Sequence, residues 1–147
     1  HMTAPEPSGE GVARAMRQAL AEGGFAPEDL GHLNAHGTGT PANDSTESKA
    51  LLALCGEEAG SRIPVTSVKG TTGHTLGAAG AIEAIVTALS VMNDCVPPTA
   101  GFAEADPECP VSVVTEAKTG YPQKVALSNS LGFGGHNASL ALSPYRA

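Results

Sequence analysis

Short apolar segments, each closed by a loop rich in glycine, take turns along this chain with stretches of helical periodicity, and that alternation confines it to a layered α/β fold. Val12, Met16, Ala19 and Leu20 recur at helical spacing over residues 10–21, and Gly23-Gly24 stops the run. Residues 31–36 alternate instead: Leu33 and Ala35 point one way, and His32, Asn34 and His36 the other, which predicts a short strand ending at His36. Asp44-Ser45-Thr46-Glu47 has the form of a capping box, so Asp44 is expected to cap a helix reaching about Cys55. The β-branched run over 63–68 predicts a buried strand, and residues 76–92 a long helix. Four prolines make the next stretch irregular, apart from an edge strand over 111–115. Residues 124–129 and 138–142 then read as an antiparallel pair, so the sheet is mixed and covered on both faces.

The 147 residues suit one domain with a core of its own. Against 15 Asp and Glu stand 8 Lys and Arg, a net charge of −7 that disfavours a nucleic-acid or membrane-surface partner. Apolar runs such as residues 84–89 are too short to cross a bilayer, and the expected place is the cytoplasm. Cys55, Cys95 and Cys109 show no C-x-x-C spacing, so neither a disulfide framework nor a zinc site is indicated. Cys55 and Cys95 are expected at helix ends and Cys109 in a loop, all three as inert thiols.

Chemistry collects in three loops: Asn34-Ala35-His36-Gly37-Thr38-Gly39-Thr40, Lys69-Gly70-Thr71-Thr72-Gly73-His74, and Asn129-Ser130-Leu131-Gly132-Phe133-Gly134-Gly135-His136-Asn137. Each follows a predicted strand, and in an open α/β sheet the carboxyl ends of the strands share one rim. His36, Lys69, His74 and Phe133 can therefore meet there. Lys69, placed after a buried strand among small residues, points to an internal ion pair or a substrate contact. Glu47 is as well explained by capping as by support of the site. His74 just before a helix is expected to stay neutral, and two neutral imidazoles donating to one point would stabilise an enolate or oxyanion. The glycines match no nucleotide-binding signature. No cysteine falls on that rim in this reading.

In order and spacing these loops, with Asp44-x-x-Glu47 and Gly73-His74-x-x-Gly77-Ala78-Ala79-Gly80, resemble those of the β-ketoacyl-acyl carrier protein synthases, the condensing enzymes of fatty acid and polyketide synthesis, and among them the elongating type. The resemblance covers residues 1–147 and only the carboxyl-terminal half of the family's chain. It implies a thiolase-like half-domain, layered α/β/α with a mixed, mostly parallel sheet. It also implies that the nucleophilic cysteine belongs to an amino-terminal half absent from these residues, without which condensation should fail.

By the same resemblance His36 and His74 bind the thioester carbonyl of malonyl-carrier protein and assist its decarboxylation, Lys69 holds charge around His74 with Glu47 as its partner, and the Phe133 N–H joins an oxyanion hole. The Phe133 ring gates an acyl pocket between Gly132 and Gly134. Asn34, Glu83, Ser128 and Asn129 match positions that support the site or hold a structural cation in relatives, and no cofactor is implied. Gly39, Leu131 and His136 depart from the common Ser, Phe and Thr, which touches chain-length preference. The implied partners are the missing half, acyl carrier protein, and further copies in a homo-oligomer. A basic patch for carrier protein would draw on a few of Arg14, Arg17, Arg62, Lys69, Lys118, Lys124 and Arg146. Two rivals are a non-catalytic subunit resembling a chain-length factor, disfavoured by the two retained histidines, and a thiolase-like acyltransferase, disfavoured by the lack of a second reactive cysteine.

Overall fold

The computed structural model describes residues 1–145. In chain order it places α1 (Glu10–Glu22), β1 (Leu30–Asn34), α2 (Pro41–Cys55), α3 (Glu57–Gly60), β2 (Pro64–Thr66), α4 (Lys69–Thr72), α5 (Ala79–Met92), β3 (Cys95–Val96), β4 (Ser112–Val113), β5 (Lys118–Thr119), β6 (Val125–Gly132) and β7 (His136–Leu142). The main sheet runs β4-β2-β1-β6-β7, with β7 alone antiparallel to its neighbour. β1, β2 and β6 are parallel, so the loops that follow them leave the sheet on one rim. This is the expected mixed, mostly parallel α/β/α layering.

The two faces of the sheet are built differently. Under α1 and α2 the contacts are aliphatic: Val12, Met16 and Leu20 of α1 and Ala50, Leu51 and Leu54 of α2 close on Leu33, Val65, Val125 and Leu127. Each Val, Leu and Met side chain there, fully buried, contributes on the order of 1.5–3 kcal/mol. Under α5 the alternate residues are polar and bonded to particular partners. The Asn34 amide donates to the Glu83 carbonyl at 3.1 Å and to Thr87 Oγ1 at 3.0 Å. His32, fully buried, bonds Thr66 Oγ1 at 2.9 Å and Ser90 Oγ at 3.4 Å.

Several elements differ from expectation for local reasons. Helix α2 starts at Pro41, whose fixed φ suits the first helical position, with Thr40 extended before it. Asp44 is thus inside the first turn and caps nothing. Helix α5 begins at Ala79, after a 3-10 turn over Leu76–Ala78 in which Leu76 takes a left-handed φ of 52°. Cys95 lies on β3, which pairs with β5 in a small second sheet that periodicity could not reveal in two-residue strands. The closing hairpin pairs as far as Gly132 with His136, because Gly134 and Gly135 adopt φ of 79° and 78° and turn the chain within three residues.

Burial lowers His32 from its ordinary 6.5 to about 4. Between those values the unfolded chain binds the extra proton, so stability falls as pH falls, by roughly 3 kcal/mol once below both. Urea titrations at pH 7 and pH 4.5 should show this loss, and His32→Gln should make the difference between the two pH values smaller.

Candidate active site

The first two loops follow β1 and β2 directly, whereas most of the third is strand, residues 129–132 pairing with β7 as far as Gly132 with His136. After β1, Ala35 N–H still donates to the Thr66 carbonyl at 2.8 Å, and the chain then turns away at His36 and Gly37. The buried carboxylate of Glu47, on α2, receives that turn: Oε1 accepts from His36 N–H at 2.9 Å and Oε2 from Gly37 N–H at 2.7 Å. Asn43 Nδ2 donates to Oε2 at 2.9 Å and Asn129 Nδ2 to Oε1 at 3.3 Å. Burial raises the Glu47 pKa, while these four N–H groups pull it back. The carboxylate thus ties the loop after β1 to α2 and β6.

Lys69 opens α4 directly after β2, and only 9% of it is exposed. Its ammonium donates to His36 Nδ1 at 3.2 Å, to the His36 carbonyl at 2.5 Å and to Glu83 Oε1 on α5. Three hydrogens meet three acceptors, which exhausts the group. The partner of Lys69 is thus Glu83 rather than Glu47, and the imidazole it holds is that of His36 rather than His74. No sequence spacing links Lys69 to Glu83; only the packing of α5 on the sheet does. Being spent internally, Lys69 is no part of a docking patch, and Arg146 lies outside the described residues.

An ammonium can only donate, so His36 Nδ1 must accept, and the proton of the neutral ring sits on Nε2. Burial first, then the charges of Lys69 and His74, lower His36 to about 4, which keeps it neutral at pH 7. His74 stands against it with ring centroids 5.2 Å apart and planes at 82°, an edge-on contact. Its Nδ1 accepts the Leu76 N–H at 3.2 Å, so here too Nε2 is the donor of the neutral ring. The expected helix end is five residues away at Ala79; a single backbone N–H sets the tautomer instead. That contact and the Asn43 bond to Glu47 escaped the sequence reading. Asn43 and Glu47 are one helical turn apart, a spacing that could have revealed the second.

Asn34, Glu83 and Asn129 each keep one buried oxygen without a donor: Oδ1, Oε2 and Oδ1. Asn34 pairs in register with the buried Ser128. Amide and carboxylate oxygens of this kind suit a hard cation.

Phe133, between Gly132 and Gly134, is at the tip of the β6–β7 hairpin with 74% of its surface exposed. A cavity of about 680 Å³ opens beside the site, with Lys69, His74, Asp44, Glu47, Phe102 and Cys109 among its walls. Cys109 therefore does reach the neighbourhood of the rim. Burial and the carboxylates of Asp106 and Asp44 raise its pKa, and Cys55 is pushed up to about 11, so both are held as thiols.

Two imidazoles in edge contact, one locked by a buried lysine and the other by a backbone N–H, each leave Nε2 free to donate to a carbonyl oxygen that gains charge. Residues 1–103 match the family described as the C-terminal domain of β-ketoacyl synthase. The chain belongs to this β-ketoacyl synthase family. It is 47% identical over 146 residues to 3-oxoacyl-(acyl-carrier-protein) synthase 2 of Synechocystis, and 47% identical over 147 residues to the enzyme of the same name from Staphylococcus aureus. Those alignments take in 99% and 100% of this chain and 35% of each relative, so the chain spans about a third of their length.

Among solved structures, the ishigamide ketosynthase/chain length factor superposes with a TM-score of 0.91 at 39% identity, covering 99% of this chain and 35% of that one. A β-ketoacyl synthase from Burkholderia phymatum gives 0.89 at 37%, with 99% and 35% covered. A type II polyketide acyl-carrier protein in complex with its ketosynthase gives 0.90 at 35%, with 99% and 36% covered. The fold of this ketosynthase domain is thus that of thiolase-fold synthases.

Lys69→Met should destabilise the domain by about 3–5 kcal/mol, because it strands the Glu83 carboxylate in the interior. Lys69→Met with Glu83→Leu should recover much of that loss in chemical denaturation, since no charge is then left buried.

Proposed function

We propose that residues 1–147 form one half-domain of a decarboxylating Claisen condensing site that extends acyl thioesters with malonyl-carrier protein in fatty acid or polyketide synthesis. The observation that carries this reading is the His36–His74 contact with both Nδ1 atoms committed. The two Nε2–H groups would bind the malonyl thioester oxygen. The bond to the carboxylate breaks, carbon dioxide leaves, and its electron pair forms the enolate that the imidazoles stabilise. The enolate carbon then attacks an acyl thioester, the new carbon–carbon bond forms, and a cysteine thiolate departs. That cysteine would come from an amino-terminal half outside these residues, so these residues alone are silent for condensation.

The other assignments serve this step. Lys69 holds His36 in the donating tautomer. The Phe133 N–H would add to the oxyanion hole for the acyl carbonyl, and its ring would gate the acyl pocket from between Gly132 and Gly134. A structural cation near Asn34, Glu83, Ser128 and Asn129, held by oxygens among them, would add fixed positive charge to this end of the sheet. Helix α5 leaves Ile85, Leu89 and Met92 exposed, an apolar face suited to the missing half. Acyl carrier protein and a second synthase subunit are the further partners, in keeping with relatives studied with both. No described helix is long and apolar enough to cross a membrane.

Mixing the domain with a matching amino-terminal half and measuring carbon dioxide release from malonyl-carrier protein tests the reading. His36→Ala and His74→Ala should each lower the rate on the order of 10²–10³. Unchanged rates would replace this reading with that of a non-catalytic subunit resembling a chain-length factor.

A further inference from the structure

The dipeptide His36-Gly37 has two backbone N–H groups and two carbonyls, and side chains from three different elements hold all four. Glu47 of α2 takes both N–H groups, and Lys69 of α4 takes the His36 carbonyl. The fourth group, the Gly37 carbonyl, accepts from Ser67 Oγ at 2.7 Å. Ser67 lies between β2 and α4, seven residues before His74 on the same segment of chain. It is itself pinned, its N–H donating to Thr99 Oγ1 at 3.1 Å.

The three anchors differ in stiffness. Lysine reaches its acceptors through a flexible four-carbon stem and can follow a moving loop. The Glu47 carboxylate ties the turn to α2, which carries no histidine. Ser67 is different, because a single rotatable bond separates its hydroxyl from the backbone and its backbone belongs to the loop that leads to His74. The approach is also close: Gly37 has a φ of 45°, and a Cβ there would fall 2.5 Å from Ser67 Cβ and 2.7 Å from its Oγ. Side chain and peptide are packed face to face.

We infer that Ser67 is a positioning residue for His36: by holding the Gly37 carbonyl it fixes the spacing between the loop after β1 and the loop after β2, and so the edge contact between the two imidazoles. Ser67 touches no substrate. Its effect on rate passes through His36, and to that extent the inference rests on the decarboxylation reading, although the ring contact does not.

The test uses the domain assembled with the half that carries the nucleophile. Ser67→Ala should lower kcat for release of carbon dioxide from malonyl-carrier protein by roughly 10- to 100-fold, the scale of a small misplacement of a reacting group, with KM unchanged. Ser67→Thr, which keeps the hydroxyl, should restore most of the rate. In proton NMR, the ring-current shift that His74 imposes on the His36 ring should shrink in Ser67→Ala and persist in Ser67→Thr. An unchanged kcat and an unchanged His36 shift in folded Ser67→Ala would overturn the inference, as would equal losses in the alanine and threonine variants. Full activity in His36→Ala would instead refute the decarboxylation reading, and the NMR comparison would still decide the role of Ser67.

Discussion

A lysine ammonium withdrawn from water needs a replacement for its hydration shell, and around Lys69 that replacement is the site itself. Glu83 supplies the counter-charge, and His36 supplies a ring nitrogen and a carbonyl. The three acceptors come from α5 and from the loop after β1, while the donor follows β2. Moving any of these elements leaves a buried charge unpaired, which is far more costly than losing an exposed ion pair. The same contact sets the chemistry, because a donor on Nδ1 leaves the His36 proton nowhere to reside but Nε2.

The rest of the fold follows a division of labour across the sheet. The α1 and α2 side is aliphatic, packs densely, and provides stability without direction. The α5 side carries His32, Asn34, Thr66, Ser90 and Glu83, all buried, where each polar group must find a particular partner. Directional bonds of this sort fix the angle at which α5 lies, and through Glu83 they fix Lys69. Glu47 is the corresponding device on the opposite side: one carboxylate gathers donors from β1's loop, its own helix and β6.

Where the polar layer ends, apolar surface is left open. Ile85, Leu89 and Met92 on α5, Leu140 on β7 and Phe133 on the hairpin tip are all exposed. Such a surface fits a domain whose relatives are about three times as long.

Much of this was legible in the residues themselves. Hydrophobic periodicity marked α1, α2 and α5, alternation marked β1, and the parallel order of strands followed from the helices between them, so that His36, Lys69 and His74 could be placed on one rim before any coordinate was known. Local chemistry was read less well: Pro41 began α2 where Asp44 had seemed its cap, because a proline's fixed φ outweighs a box-like spacing. Two-residue strands such as β3 and β5 carry no period to detect. What tertiary structure alone decided was pairing. Lys69 chose Glu83 over Glu47, the Leu76 N–H fixed His74 where a helix end had been expected, and Cys109 came to the cavity wall. The physical reason is that periodicity reports which side of an element is buried, whereas a hydrogen bond of 3 Å depends on the height and angle at which one element crosses another, and those are set by the packing of the whole chain.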